Sequence, residues 1–283
     1  MPFTPSPLRY PGGKTQLYAV VKEILYRNSI AGGTYIEPFA GGAGLAIKLL
    51  LNGDVNHIVI NDYDKAIYST WYSIINHTDE FCEAINRSKL TMEEWNYHKE
   101  RFNKSQNILE LGFSTFYLNR TNVSGVIKGG VIGGKEQKGN YKIDARFNKE
   151  GLIKRIIKIS SEKKENITIS NKNAINFIEE FDFDINNTFI NFDPPYVKKG
   201  SQLYKNYFTR NEHIELAHKI LSCPLHWIVT YDICELVKRL YVNKRHSRLN
   251  INYSIGGTRD AKEYIFFSDD LKLPDEFFKI CHP

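Results

Sequence analysis

The segment from Thr34 to Asp62 restricts the fold more than any other part of this 283-residue sequence. Residues 34–39, "TYIEPF", form a short apolar run of β-formers. "AGGAG" (40–44) follows, and then "LAIKLLLN" (45–52), whose apolar residues recur at helical spacing. "HIVIND" (57–62) is a second β-type run, closed by Asp62. Strand, glycine turn, helix and strand in that order make a β-α-β unit. Glycine lets a ligand approach the backbone closely at the turn before a helix. A carboxylate about 20 residues beyond such glycines is placed to accept both hydroxyls of a ribose. If it did not, Asp62 would only cap the helix that starts near Asp64. The chain is therefore expected to open as an α/β sheet.

The alternation then stops. Residues 64–119 read as mostly helical, and Thr91 with Glu94 three residues later forms a capping-box start for the segment 91–105. Between Ser124 and Gly139 lies a loop with six glycines, a length that in a compact domain is usually functional or mobile. Residues 128–164 carry eleven Lys or Arg against four acids, the most basic stretch of the chain. Strands resume at "NITISN" (166–171), "TFINFD" (188–193) and "HWIVTYD" (226–232). Helices are expected at 211–221, behind a second capping box at Thr209 and Glu212, and at 233–241. "SRLNINYS" (247–254), the turn 255–262 and "EYIFFS" (263–268) close the chain as an antiparallel hairpin at the sheet edge. The expected division is a catalytic part, 1–63 and 166–283, and a helical, basic insertion, 64–165.

A net charge of +6 suits a nucleic-acid partner without proving one. Cys82, Cys223, Cys234 and Cys281 are scattered, so neither a disulfide framework nor a zinc site is expected. No segment has the apolar core of a signal peptide or the length of a membrane span, which makes the cytoplasm the expected location.

The stretch Asn191-Phe192-Asp193-Pro194-Pro195-Tyr196 ends one of the resumed strands. Ligands of open α/β sheets bind beyond the carboxyl ends of strands. Two prolines remove two backbone donors and leave carbonyl acceptors. The Asp193 carboxylate and the Pro194 carbonyl would then suit an amino group with two hydrogens, and Tyr196 offers a flat face to a planar ring. An aryl amine is a poor nucleophile because its lone pair spreads into the ring. Two strong acceptors localise that pair and stabilise positive charge as it develops. The plain alternative is a strand-ending turn with a capping aspartate. Residues 9–14, "RYPGGK", read on their own as a type II turn with a surface lysine.

The order "RYPGGK" (9–14), "EPFAGGAG" (37–44), "IND" (60–62), a long insertion and "DPPY" (193–196) resembles the Dam-type, alpha-group N6-adenine DNA methyltransferases over nearly the whole chain. "RFNKS" (101–105), "FYLNR" (116–120) and the closing "GGTRDAKEYIFF" (256–267) share the likeness. The resemblance implies a Rossmann-like, S-adenosylmethionine-dependent core with a mixed seven-stranded sheet and a C-terminal antiparallel hairpin, plus a helical DNA-recognition insertion. It implies that Tyr10 and Lys14 contact S-adenosylmethionine, that the loop from Glu37 to Gly44, with Phe39 and Gly41, cradles its methionine part, and that Asp62 binds its ribose. Asn173 falls near its adenine, where many members carry Asp. Asp193, Pro194 and Tyr196 would form the catalytic clamp, with Asp193 also near the cofactor. No metal is implied.

Double-stranded DNA is the implied partner, with one adenine flipped out of the stack. Lys128, Lys135, Lys138 and Lys142 would contact phosphates, whereas Arg120 and Asn122 suit base edges. A solvated basic face is the bland alternative. Members that read GATC carry an aromatic residue and then an arginine after "LNR". Here Val123, Ser124 and Lys128 stand in that stretch, a departure from the GATC pattern. One flipped base per event requires no second copy, so a monomer is expected, in a bacterial or phage-infected cell at the nucleoid. A cognate restriction endonuclease acting separately stays open. So do two rival functions. One is methylation of RNA adenine or a glutamine amide, where relatives usually carry Asn in place of Asp193. The other is a non-catalytic DNA-binding module that kept the fold.

Overall fold

The computed structural model describes residues 5–10, 12–180, 182, 184–198, 208–253 and 259–275. Its strands are β1 (Thr34–Glu37), β2 (His57–Asn61), β3 (Ile167–Ser170), β4 (Thr188–Phe192), β5 (His226–Asp232), β6 (His246–Tyr253) and β7 (Arg259–Phe267). They form one seven-stranded sheet in the order β3-β2-β1-β4-β5-β7-β6. The first five are parallel, β7 runs antiparallel beside β5, and β6 closes the edge as the expected hairpin partner. The turn joining the hairpin, residues 254–258, lies outside the described residues, so the "GGT" of the closing motif does too.

Period-two side-chain alternation divides the sheet between two cores. Tyr35, Ile58, Ile60, Phe189, Ile228, Ile265 and Phe267 point to one. Ile36, Val59, Ile190, Phe192, Trp227, Val229, Tyr231, Tyr264 and Phe266 point to the other. Helices cover both faces. On the first lie α1 (Tyr18–Arg27), α2 (Gly44–Leu51), α3 (Lys65–Asn76), α4 (Thr78–Arg87), α5 (Met92–Lys104), α6 (Ile108–Thr121) and α7 (Lys149–Lys163). The second face meets α8 (Ala174–Glu180), α9 (Arg210–Ser222) and α10 (Glu235–Leu240). Apolar residues of α3 to α7, among them Trp71, Phe81, Phe116 and Ile156, belong to the same core as the strands. The division expected at 63/64 and 165/166 therefore does not coincide with a break in packing.

The helix starts follow their caps. The Asp64 carboxylate accepts from Ala66 N at the head of α3, and Thr91 Oγ1 accepts from Glu94 N at the head of α5. Thr209 and Glu212 make the reciprocal capping box of α9. Asp62 is thus not the cap of α3; it is left for another task. Among the described residues no helix is long and apolar enough to cross a membrane.

The sheet order reverses between β1 and β4, whose connections leave in opposite directions. In open α/β sheets the ligand crevice lies at such a switch point, beyond the carboxyl ends of the strands. Glu37, Asp62, Asp193, Thr230, Asp232 and Glu263 all continue the parity of the first face there.

Candidate active site

Lys14 joins the two ends of the crevice. It is 5% exposed, which excludes a surface lysine. Its ammonium lies 2.8 Å from the Asp193 carboxylate oxygens and donates to the Tyr196 hydroxyl at 2.9 Å and to Gly12 O at 3.0 Å. Glu263 Oε2 stands 3.6 Å away. The Tyr196 hydroxyl in turn donates to Glu263 Oε1 at 2.5 Å. Thr230 Oγ1 donates to Asp193 Oδ1 at 2.8 Å. Removing one member of a largely buried ion pair costs on the order of 3–5 kcal/mol, because the other charge is left without compensation. Burial pushes the Glu263 carboxyl above its ordinary range, and Lys14 opposes that shift.

The turn after β4 is held from below. Asp232 accepts from Val197 N at 3.0 Å and Lys198 N at 2.9 Å, fixing the backbone just past the prolines. Pro194 is buried, and among the described residues no donor takes its carbonyl. The Tyr196 ring is only 5% exposed, so it is a fixed wall anchored through its hydroxyl rather than the open face the sequence suggests.

The glycine loop is pinned just as firmly. Gly41 N donates to Asp62 Oδ2 at 2.9 Å, and Trp71 Nε1 donates to Gly41 O at 2.9 Å. Gly41 has φ +47°, and a Cβ there would lie 2.5 Å from the Tyr10 ring, so only glycine fits. Glu37 Oε1 accepts from Ala46 N at 3.1 Å in the first turn of α2 and from Tyr35 Oη at 3.2 Å. Full burial raises its carboxyl to about 8. Asp62 accepts a second bond from Asp64 N at 2.9 Å, and desolvation lifts its carboxyl too, although the residue keeps some solvent contact. Phe39 is half-buried and meets Phe208 edge-on, with centroids 5.9 Å apart. Asn173 Oδ1 accepts from Ile175 N at 2.9 Å at the start of α8. The residue also lines a cavity of about 550 Å³ with Tyr63, Ile175 and Phe208, next to Asp62.

One six-residue segment therefore reaches both halves of the crevice: Tyr10 lies on the glycine loop and Lys14 on the Asp-Pro-Pro-Tyr turn. A sequence model of the D12 class N6 adenine-specific DNA methyltransferases matches residues 10–255, which takes in all of these elements except Glu263. The chain belongs to that family. Among curated relatives, this methyltransferase is 27% identical over 230 residues to type II methyltransferase M.MjaIII of Methanocaldococcus jannaschii, covering 74% of this chain and 77% of the relative. It is 23% identical to type II methyltransferase M.CviBI of Paramecium bursaria Chlorella virus NC1A, covering 87% and 90%. With the DNA adenine methylase of Escherichia coli K12 it shares 28% identity over 127 residues, 43% and 42% of the two chains. The solved structure of a putative RNA methyltransferase, PH1948 from Pyrococcus horikoshii, aligns at 11% identity over 87% of this chain and 79% of that one, with a TM-score of 0.39.

The methyltransferase's expected DNA contacts divide three ways. Lys128, Lys135 and Lys138 are exposed on the loop after α6, with Lys138 2.6 Å from Glu136. Asn122 is a correction. It is fully buried, Oδ1 accepts from Trp95 Nε1 at 2.7 Å, and Nδ2 donates to Val126 O and Ile127 O at 3.1 and 2.8 Å. A side chain so enclosed and so bonded has nothing left for a base edge; it holds the loop to α5. Arg120 is partly buried, donates to Arg146 O, and has its guanidinium lowered to about 9, first by burial and then by Arg9, Arg155 and Arg146.

Residue-type reasoning did not single out Arg9, Arg146, Thr230, Asp232 or Glu263. Arg9 Nη1 donates to Asn122 O at 3.0 Å, and with Tyr141 and Arg146 it lines a cleft of about 320 Å³. Among the described residues no carboxylate pairs with Arg9, Arg120 or Arg146. Arg9 stands in "RYPGGK", beside the Tyr10 and Lys14 to which the resemblance assigns the cofactor.

Proposed function

We propose that this methyltransferase uses S-adenosylmethionine to methylate N6 of an adenine flipped out of duplex DNA. The observation that supports this best is the Lys14 bridge, which sets the Asp193 carboxylate and the Pro194 turn beside the glycine loop. The crevice suits the cofactor. Gly41 leaves open a cradle that a Cβ would fill, Tyr10 and Phe39 flank it, Asp62 stands at the end of β2, and the cavity at Asn173 lies beyond. When bound, the cofactor supplies an electrophilic methyl group on a sulfonium. Asp62 keeps one lone pair per oxygen for ribose hydroxyls after its two backbone bonds.

Asp193 and the Pro194 carbonyl accept the two hydrogens of the adenine amine, which localises its lone pair and stabilises charge as it develops there; such electrostatic terms are worth about 10²- to 10³-fold each. Thr230 and Asp232 keep the turn from moving as the amine arrives. Tyr196 gives the ring a rigid neighbour. Three guanidinium groups gathered without an acid attract an anion, so Arg9, Arg120 and Arg146 join Lys128, Lys135 and Lys138 in phosphate contacts. Arg120 is then a backbone contact, not the base reader its residue type suggested. The enzyme acts as a monomer at the nucleoid, and a restriction endonuclease, where one accompanies it, acts separately.

Incubation with tritiated methyl donor and duplex DNA of mixed sequence tests the reading. Label is expected in adenine, entering about 10²- to 10³-fold more slowly with Asp193→Ala. Intact DNA binding with no label in adenine, or label entering RNA alone, overturns it.

A further inference from the structure

Glu263 has no part in the reaction as described, yet it is one of the most enclosed charged groups of the molecule, at 2% exposure. It sits on β7 opposite Asp232 of β5 in the antiparallel ladder. Directly opposed residues share a face, so the two carboxylates support the same turn, one through its backbone and the other through Tyr196. A buried carboxylate is costly unless it is compensated. The Lys14 ammonium therefore stands between two carboxylates, 2.8 Å from Asp193 and 3.6 Å from Glu263.

The second carboxylate becomes useful when substrate arrives. Asp193 then has to accept hydrogens from an amine that is gaining positive charge. An ammonium held 2.8 Å from the same carboxylate competes for its oxygens and repels the developing charge. The Tyr196 hydroxyl already accepts from Lys14 and donates to Glu263, forming a hydrogen-bonded path between them. The Glu263 Oε2 atom stands 3.6 Å from the ammonium, so a shift of under about 1 Å brings it to hydrogen-bond distance.

We propose that Glu263 is a second seat for the Lys14 ammonium: the lysine leaves Asp193 for Glu263 as the adenine amine enters, which frees the catalytic acceptor without creating an unpaired buried charge. Glu263 is on this view a positioning residue, acting through Lys14 and Tyr196. The inference rests on the adenine-methylation reading above.

A double-mutant cycle separates it from a merely structural role. Wild type, Glu263→Gln, Lys14→Met and the double variant are compared in single-turnover methyl transfer at saturating donor and duplex, with equilibrium binding of each and thermal melting measured alongside. Glu263→Gln is expected to slow transfer on the order of 10- to 100-fold in the wild-type background, less than the loss of a group that touches the amine because Glu263 acts through Lys14, while both dissociation constants change less than about 3-fold. In the Lys14→Met background the same change should alter the rate less than about 3-fold, since the lysine it serves is gone. Glu263→Asp, which keeps the charge, should recover part of the loss. Equal factors in both backgrounds, or a rate loss explained by weaker binding, overturns the proposal. Should Glu263→Gln fail to fold, Glu263→Asp in both backgrounds carries the same test at smaller amplitude. An active wild type with an additive cycle overturns the second seat alone; a wild type that labels no adenine overturns both readings.

Discussion

Two glycine-rich stretches of this chain, residues 40–44 and 124–139, look alike as sequence and differ in everything else. In the first, the amide and carbonyl of Gly41 are held by Asp62 and Trp71, and Tyr10 lies where a side chain would have to go. The second is tied mainly by its own turns: Gly129 N to Val126 O, Gly134 N to Val131 O and Gly139 N to Gly133 O. It exposes Lys128, Lys135 and Lys138 between them. Glycine serves close approach in the first; in the second it serves mostly tight turning, with close approach at Gly125, where a Cβ would lie 2.3 Å from Arg9 O. What separates the two is the partners brought from elsewhere in the chain, not the glycines.

The contrast predicts which changes act on chemistry and which on the outer field of charge. The largest effect belongs to the acceptor facing the inner loop. Asp193→Ala should lower single-turnover transfer by about 10²- to 10³-fold while leaving the salt dependence of DNA binding unchanged, read by label incorporation and by titration at several ionic strengths. A parallel loss of salt dependence would merge the two regions.

Burial at the inner loop also has a pH signature. The Glu37 carboxyl is raised from 4.5 to about 8, so the folded form holds its proton more tightly. Its stabilising contribution is full below the unfolded value and is lost as pH rises through the folded one. Glu37 should therefore contribute a loss of up to about 4 kcal/mol to wild type between pH 5 and 9, and Glu37→Gln should lose distinctly less, in urea titrations. A Glu37→Gln variant with the wild-type slope would assign the burial cost elsewhere.

Gly41→Ala comes next. A Cβ 2.5 Å from the Tyr10 ring at φ +47° should cost about 1–3 kcal/mol and weaken donor binding, measured by melting and calorimetry. Replacing Lys128, Lys135 and Lys138 together by Ala should lower the salt slope of DNA binding by about 2 to 3 with little change in transfer at saturating duplex. Smallest of all, Gly130→Ala should stay within about 0.5 kcal/mol of wild type, because its Cβ meets nothing within 4 Å and its φ is not in the left-handed region.

Much of this was legible in the sequence because it is local. The five parallel strands, the capping box at Thr209 and the closing hairpin follow from period and caps, whereas of the box expected at Thr91 only the Thr91 cap forms; the Asp-Pro-Pro-Tyr turn announces its acceptors by composition. What escaped depends on distant partners. Asn122 has the right residue type for adenine, but Trp95 and the carbonyls of Val126 and Ile127 claim it. Glu263 was hidden for a topological reason. In the parallel strands the chemistry sits at the carboxyl end, whereas β7 runs the other way and reaches the crevice through its first half. "EYIFFS" read forwards gives no hint that its glutamate lies under the tyrosine of residue 196.

The charge network has an implication for how the molecule comes into being. Its members stand at positions 14, 193, 196, 230 and 263, so no shorter stretch of nascent chain holds a complete set. A ribosome-bound chain that stops before residue 263 leaves the Tyr196 hydroxyl without its carboxylate acceptor. The sheet can grow outward from β1 and β2 while the site still waits for the late antiparallel strand. The hydrogen-bonded set around Lys14 is thus complete only once residue 263 has been made.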